Sequence, residues 1–190
     1  MIQLTTPITQ AQLASLNAGD QILLSGTVYT ARDAAHKRFE QCLAEKKELP
    51  VDLRGQILYY TGPSPAPPGR VIGSAGPTTS SRMDKYTPDL LASTGLAGMI
   101  GKGNRTAPVI EAITKSGAVY FAAVGGAGAL LSKHITSSEI ICYGDLGAEA
   151  VHKLTVKDFP LIVAIDSRGV NLYRKGPDEY RKNMSTKGNF

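Results

Sequence analysis

Between residues 96 and 124 two apolar runs, LAGMI and AVYFAAV, flank the helix-forming segment APVIEAITKS at 107–116. Two short buried-type strands joined by a helix leave few architectures open, because the helix must lie against the strands it connects. The same alternation appears earlier. QILLSGTVY at 21–29 reads as a strand with a possible bulge at Gly26, followed by a corner at 30–33 and a helix over 34–48 closed by Leu49-Pro50. Further strands are expected at 56–61, 71–75, 139–143 and 161–165, the last bounded by Pro160. Thr9 and Gln12 form a capping box for a short first helix ending near Asn17-Ala-Gly19. Thr87-Pro88 opens a helix, with the threonine as cap, that Gly95 closes. A helix turn is expected at 129–133. The chain therefore reads as a layered α/β domain with no internal repeat.

The 190 residues suffice for one domain with its own core. No apolar run reaches the ~20 residues of a membrane-spanning helix. The start, MIQLTTPITQ, lacks a basic leader and an apolar segment, so the expected setting is the cytosol. Cys42 and Cys142 are expected to be free, partly buried thiols, since no CxxC spacing or neighbouring histidine suggests a metal. Much of the net charge of +5 sits in Arg168, Arg174, Lys175, Arg181, Lys182 and Lys187. Without a nucleic-acid-binding motif this reads as a basic, flexible, solvated tail over 174–190.

Three polar loops follow strands: 30–33, 76–82 and 101–105. They bring Arg32, Arg82, Lys102 and Arg105, with the hydroxyls of Thr78, Thr79, Ser80 and Ser81, to the strand ends where α/β folds bind ligands. Cations and hydroxyls on glycine-rich loops suit a carboxylate or a phosphate, and helix starts after Asp33 and Ser81 would add amide donors. The cluster VGGAGALL at 124–131 fails the dinucleotide pattern, which needs glycine where Leu131 stands, so close backbone packing is the plainer reading. His36, one turn into the helix after Asp33, either orients a site residue or is structural.

The motifs TARDAAHKR (30–38), GPTTSSRMDKYTPDLL (76–91) and GMIGKGNR (98–105), with TTPIT near the start, resemble class I iron–sulfur fumarate hydratase. The likeness is to its β subunit, equivalent to the C-terminal domain of single-chain forms, and covers residues 1–173. The resemblance implies a swivelling three-layer β/β/α domain and reversible hydration of fumarate to L-malate. It assigns Arg32, Thr78, Arg82 and Lys102 to the dicarboxylate, with Thr78, Arg82 and Lys102 assisting catalysis and Thr78 as base for the C3 proton. It further implies a [4Fe–4S] cluster held by three cysteines of a separate α subunit in an α2β2 assembly, because this chain has only Cys42 and Cys142. Two alternatives stand beside it: the β subunit of L(+)-tartrate dehydratase, and a non-catalytic dicarboxylate-binding module.

Overall fold

A computed structural model describes residues 1–187 of the chain. Seven strands form one sheet in the order β1-β2-β3-β4-β5-β7-β6, and β2 pairs with β7 as well, so β2, β3, β4, β5 and β7 close into a ring. The strands are β1 (Ile2–Thr5), β2 (Gln21–Thr30), β3 (Ile57–Tyr59), β4 (Gly98–Gly101), β5 (Val119–Ala122), β6 (Ile135–Cys142) and β7 (Val151–Ile165). From β1 to β5 all neighbours run parallel. Strand β7 runs antiparallel to β2, β5 and β6.

Strand alternation produces two cores. Ile57, Tyr59, Ile100, Val119 and Phe121 point inward and meet Leu24, Val28, Leu154 and Phe159 of the β2–β7 layer. Leu58, Tyr60, Met99 and Tyr120 point outward, where Phe39 of α2 (Asp33–Ala44), Leu90 of α3 (Thr87–Thr94) and Val109 of α4 (Ala107–Ser116) cover them. The architecture is thus three layers, β/β/α, within the expected α/β class. Burying each such Leu or Phe side chain contributes about 1.5–3 kcal/mol. Helix α1 (Gln10–Ser15) carries the expected capping box, and Leu13 anchors it to the inner core.

Five local expectations need correction or refinement. Residues 71–75 are not a strand: β2 and β4 already occupy both edges of β3, and the segment instead meets a proline-rich loop, GPSPAPPG at 62–69, through Ser64 and Ser74. Helix α2 stops at Ala44 rather than continuing to residue 48. Lys46 takes a left-handed φ of 54°, and the amides of Lys46 and Lys47 bond to the carbonyls of Leu43 and Cys42 in a Schellman closure. Thr87 is the first residue of α3, not a cap; its hydroxyl donates to the Met83 carbonyl at 2.9 Å. Pro160 lies inside β7, between the segments paired to β6 and β5, where one edge has no neighbour and a missing N–H is tolerated. Strand β1 has no counterpart among the expected elements.

Gly26, at φ 103°, does mark a bulge between β2 and β7. A helix, α5, spans Leu172–Lys187 and overlaps the stretch 174–190 read as a tail; residues 188–190 lie outside the described residues. No helix among the described residues is long and apolar enough to cross a membrane.

Candidate active site

The parallel strands β2, β3 and β4 deliver the three polar loops to one end of the sheet. The loop after β3 is held as a further extended segment. The Thr78 amide donates to the Tyr60 carbonyl at 2.7 Å, and Thr79 pairs with Lys102 in a parallel bridge. The Lys102 amide donates to the Thr78 carbonyl at 3.3 Å, and the Ser80 amide to the Lys102 carbonyl at 3.0 Å. Thr78 and Lys102, both half-buried, are therefore fixed to each other through the main chain.

Ser80 locks this ladder from below. Its hydroxyl oxygen accepts the Lys102 N–H at 3.1 Å and lies 2.9 Å from the Tyr120 hydroxyl, which donates to the Gly103 carbonyl at 2.9 Å. Burial raises the Tyr120 pKa, with Ser80 opposing it, so the phenol stays protonated. A Cβ at Gly101 would overlap the Ser80 hydroxyl. Gly101→Ala is therefore expected to cost about 1–3 kcal/mol through overpacking. Chemical denaturation would show this, and an unchanged midpoint would contradict the tight approach.

Arg82 follows on a 3-10 turn, Ser80–Met83, and is about half exposed. Its Nε donates to Asp33 Oδ1 at 2.9 Å, linking this loop to the start of α2. Arg32 is the residue preceding α2. Its guanidinium lies 3.9 Å from Asp33 and 3.7 Å from Glu149, and packs over Gly62, where a Cβ would approach Nη1 to 2.8 Å. Asp33 thus joins Arg32 and Arg82. The Lys102 side chain runs beside Gly125, with no carboxylate within ion-pair distance among the described residues.

Other loop residues differ from the sequence reading. The amide donor at the start of α2 is already used, since Ala34 N–H donates to Glu149 Oε2 at 2.8 Å. Arg105 is not a site cation but a buried strut. Its side chain has no exposure, and it donates to Asp84 at 2.6 Å and to Thr87 at 2.8 Å. Burial works against its charge, but Tyr60 and Asp84 outweigh that, and its pKa is raised. His36 is buried, with Nδ1 2.9 Å from the Arg32 carbonyl. Asp33 and Glu149 have no assigned role in the sequence reading; Asp33 stands inside TARDAAHKR, whereas Glu149 is 117 positions from Arg32 and has no local signal. Gly128 packs against Gly76, in keeping with a structural role for the glycine cluster.

The thiols do not fit an iron–sulfur cluster. Cys42 and Cys142 are both half-buried beside Tyr143, and Cys42 lies nine residues along α2 from Asp33, roughly 13 Å by helical rise. Burial pushes the Cys142 thiol up to about 11. Among the described residues no group of three or more His, Cys, Asp or Glu side chains could hold a metal ion.

Comparison with known proteins places this geometry. The family model described as Fumarase C-terminus matches residues 1–176. The chain belongs to the fumarase C-terminus family. It is 35% identical over 177 residues to "Fumarate hydratase class I, anaerobic" of Escherichia coli, covering 92% of this chain and 32% of that protein. It is 36% identical over 178 residues to "Fumarate hydratase 2" of Leishmania major, covering 92% and 31%. The chain therefore spans about a third of the length of these relatives. A third, "Putative L(+)-tartrate dehydratase subunit beta" of Methanocaldococcus jannaschii, is 36% identical over 173 residues, covering 88% of this chain and 89% of that one. Family membership thus agrees with the resemblance carried by the sequence motifs.

Proposed function

We propose that this fumarase C-terminus chain is the β subunit of an iron–sulfur hydro-lyase that interconverts fumarate and L-malate. The observation that carries the reading is the assembly of Arg32, Thr78, Arg82 and Lys102 on adjoining ends of parallel strands. Its relatives named fumarate hydratases support the substrate, and the relative named as a β subunit, similar in extent to this chain, supports a separate partner. The active site is completed by a cluster-bearing α subunit in an α2β2 assembly, which supplies the thiolates this chain lacks. A cytosolic setting belongs to the same reading.

The residues of this chain bind and orient the dicarboxylate. Arg82, or Arg32, grips one carboxylate with its planar fork, and Lys102 supplies a compact charge. Asp33 and Glu149 hold the arginines in place before substrate arrives and are displaced in part by its carboxylates. Taking the C3 proton from malate pushes charge onto the neighbouring carboxylate, where fixed cations stabilise it most. Thr78 takes that proton as an alkoxide, its own hydroxyl proton having passed to a carboxylate of the partner while the surrounding cations stabilise the negative oxygen.

The relative named as a tartrate dehydratase subunit keeps L(+)-tartrate as the second reading, because its extent matches this chain. Steady-state rates of the assembled enzyme decide between them. Malate is expected to exceed tartrate in kcat/KM by at least ~10-fold. A preference for tartrate would overturn the fumarate assignment.

A further inference from the structure

Beneath the strand-end loops, His36 Nε2, Tyr60 Oη and Arg105 Nη1 are buried without a protein partner. The three residues are neighbours and almost wholly enclosed, at 1%, 0% and 3% exposure. The rings of His36 and Tyr60 meet edge to face at 5.3 Å, and Arg105 Cζ lies 5.4 Å from the Tyr60 ring centre.

Counting hydrogens identifies what these atoms can share. His36 Nδ1 faces the Arg32 carbonyl, which only accepts, so Nδ1 carries the hydrogen. Burial, helped by the Arg105 charge and opposed by the Arg32 carbonyl and Asp33, lowers the His36 pKa to about 4, so the ring is neutral and Nε2 accepts. Arg105 Nη1 only donates, and the Tyr60 hydroxyl can do either. One water can accept from Arg105 and Tyr60 while donating to His36. An anion has no hydrogen for Nε2, and a cation would face the Arg105 charge.

We propose that His36, Tyr60 and Arg105 share one internal water, and that His36, fixed by it, is a positioning residue for Arg32. The Arg32 carbonyl accepts both the His36 amide and Nδ1–H, each at 2.9 Å. The Arg32 side chain caps no amide of α2 and Glu149 holds only the Ala34 amide, so His36 is the clamp on the Arg32 carbonyl that sets where the Arg32 side chain departs. The water and the tautomer stand independently of the proposed function; the positioning role rests on it.

The first test is NMR on the full chain labelled with 15N-histidine. Nδ1 is expected to carry the hydrogen and Nε2 none, down to about pH 5, with a cross-peak from a long-lived water to the His36 ring. Groups facing or near the ring are Asp33 and Glu40 of α2, Tyr60 after β3, Tyr86 and Asp89 at α3, and Arg105. A hydrogen on Nε2, a midpoint near the ordinary value of about 6.5, or a chloride-dependent shift of these signals would overturn the water.

The second test is kinetic. In the assembled enzyme His36→Leu is expected to raise the dicarboxylate KM about ten-fold with little change in kcat, and His36→Asn, which keeps a donor, to recover most of it. A kcat loss at unchanged KM, or no recovery with asparagine, would refute positioning. Should the leucine variant not fold, His36→Asn against the parent decides, with a KM rise of ten-fold or more counting against the clamp. The spectra decide the water and the tautomer even if no dicarboxylate is turned over, so failure of the proposed function is told apart from failure of this inference.

Discussion

Asp84→Ala is expected to destabilise the protein by about 3–5 kcal/mol. Asp84 Oδ1 accepts Arg105 Nε at 2.6 Å, and Oδ2 accepts the Thr106 amide at 2.8 Å. Removing the carboxylate leaves a fully enclosed guanidinium whose remaining bond to a protein group is to the Thr87 hydroxyl at 2.8 Å, beside the rings of Tyr60 and Tyr120. Neither ring nor hydroxyl replaces a charge. A domain of this size has about 5–15 kcal/mol in all, so the loss is a large fraction of it. Asp84→Asn keeps an acceptor for the Thr106 amide and is expected to lose less. Urea denaturation measures both, and a cost below about 1 kcal/mol for the alanine variant would show that Arg105 finds other partners or water. The pair also ties the turn bearing Arg82 to the loop bearing Lys102, so its loss should lower activity.

Arg82→Ala is expected to reduce turnover of the assembled enzyme by at least ~10²-fold, comparable to removing one oxyanion donor. Arg82 is about half exposed and its ion pair to Asp33 is a surface contact worth little stability, so the folded chain should persist. Its loss also frees Asp33 to pair more closely with Arg32, which removes a second cation from the substrate. Arg82→Lys keeps charge without the planar fork and should recover only part of the rate. Turnover near that of the parent would take Arg82 out of the site. Thr78→Val separates binding from chemistry, because the Thr78 main-chain bonds to Tyr60 and Lys102 survive the change. Activity within a few-fold of the parent would exclude Thr78 as the base.

Acid should expose the buried histidine. The folded pKa of His36 is about 4 against an ordinary 6.5, so the unfolded chain binds a proton first. Stability is therefore intact above about pH 6.5 and falls as pH drops toward 4, by about 3 kcal/mol in total. His36→Asn should flatten that slope, which unfolding midpoints across this range would show.

Much of the fold is legible where local chemistry and tertiary demand agree. Helix α4 matches its expected bounds, 107–116, and left-handed glycines at Gly95 and Gly117 close α3 and α4. The misses are places where a distant element decides. Nothing local marks the end of α2, because Lys46 rather than glycine takes the left-handed position. Local pattern marks β7 only over 161–165, yet the strand runs from Val151 because β2 and β6 supply its partners. The run at 71–75 has strand-like residues, but β2 and β4 already occupy both edges of β3, the strand before it. At the site, Arg32, Thr78, Arg82 and Lys102 are visible in sequence as residues of strand-end loops. Arg105 is not separable from them there, since only packing shows that Asp84 and two tyrosines enclose it.

The most direct test is an anaerobic assay of fumarate loss with this chain alone, with a cluster-bearing α-type chain alone, and with both. Turnover that requires both chains is the expected result. Turnover by this chain alone would contradict the divided site. Dicarboxylate binding by this chain, with no turnover in any combination, would contradict the catalytic reading and make it a binding module.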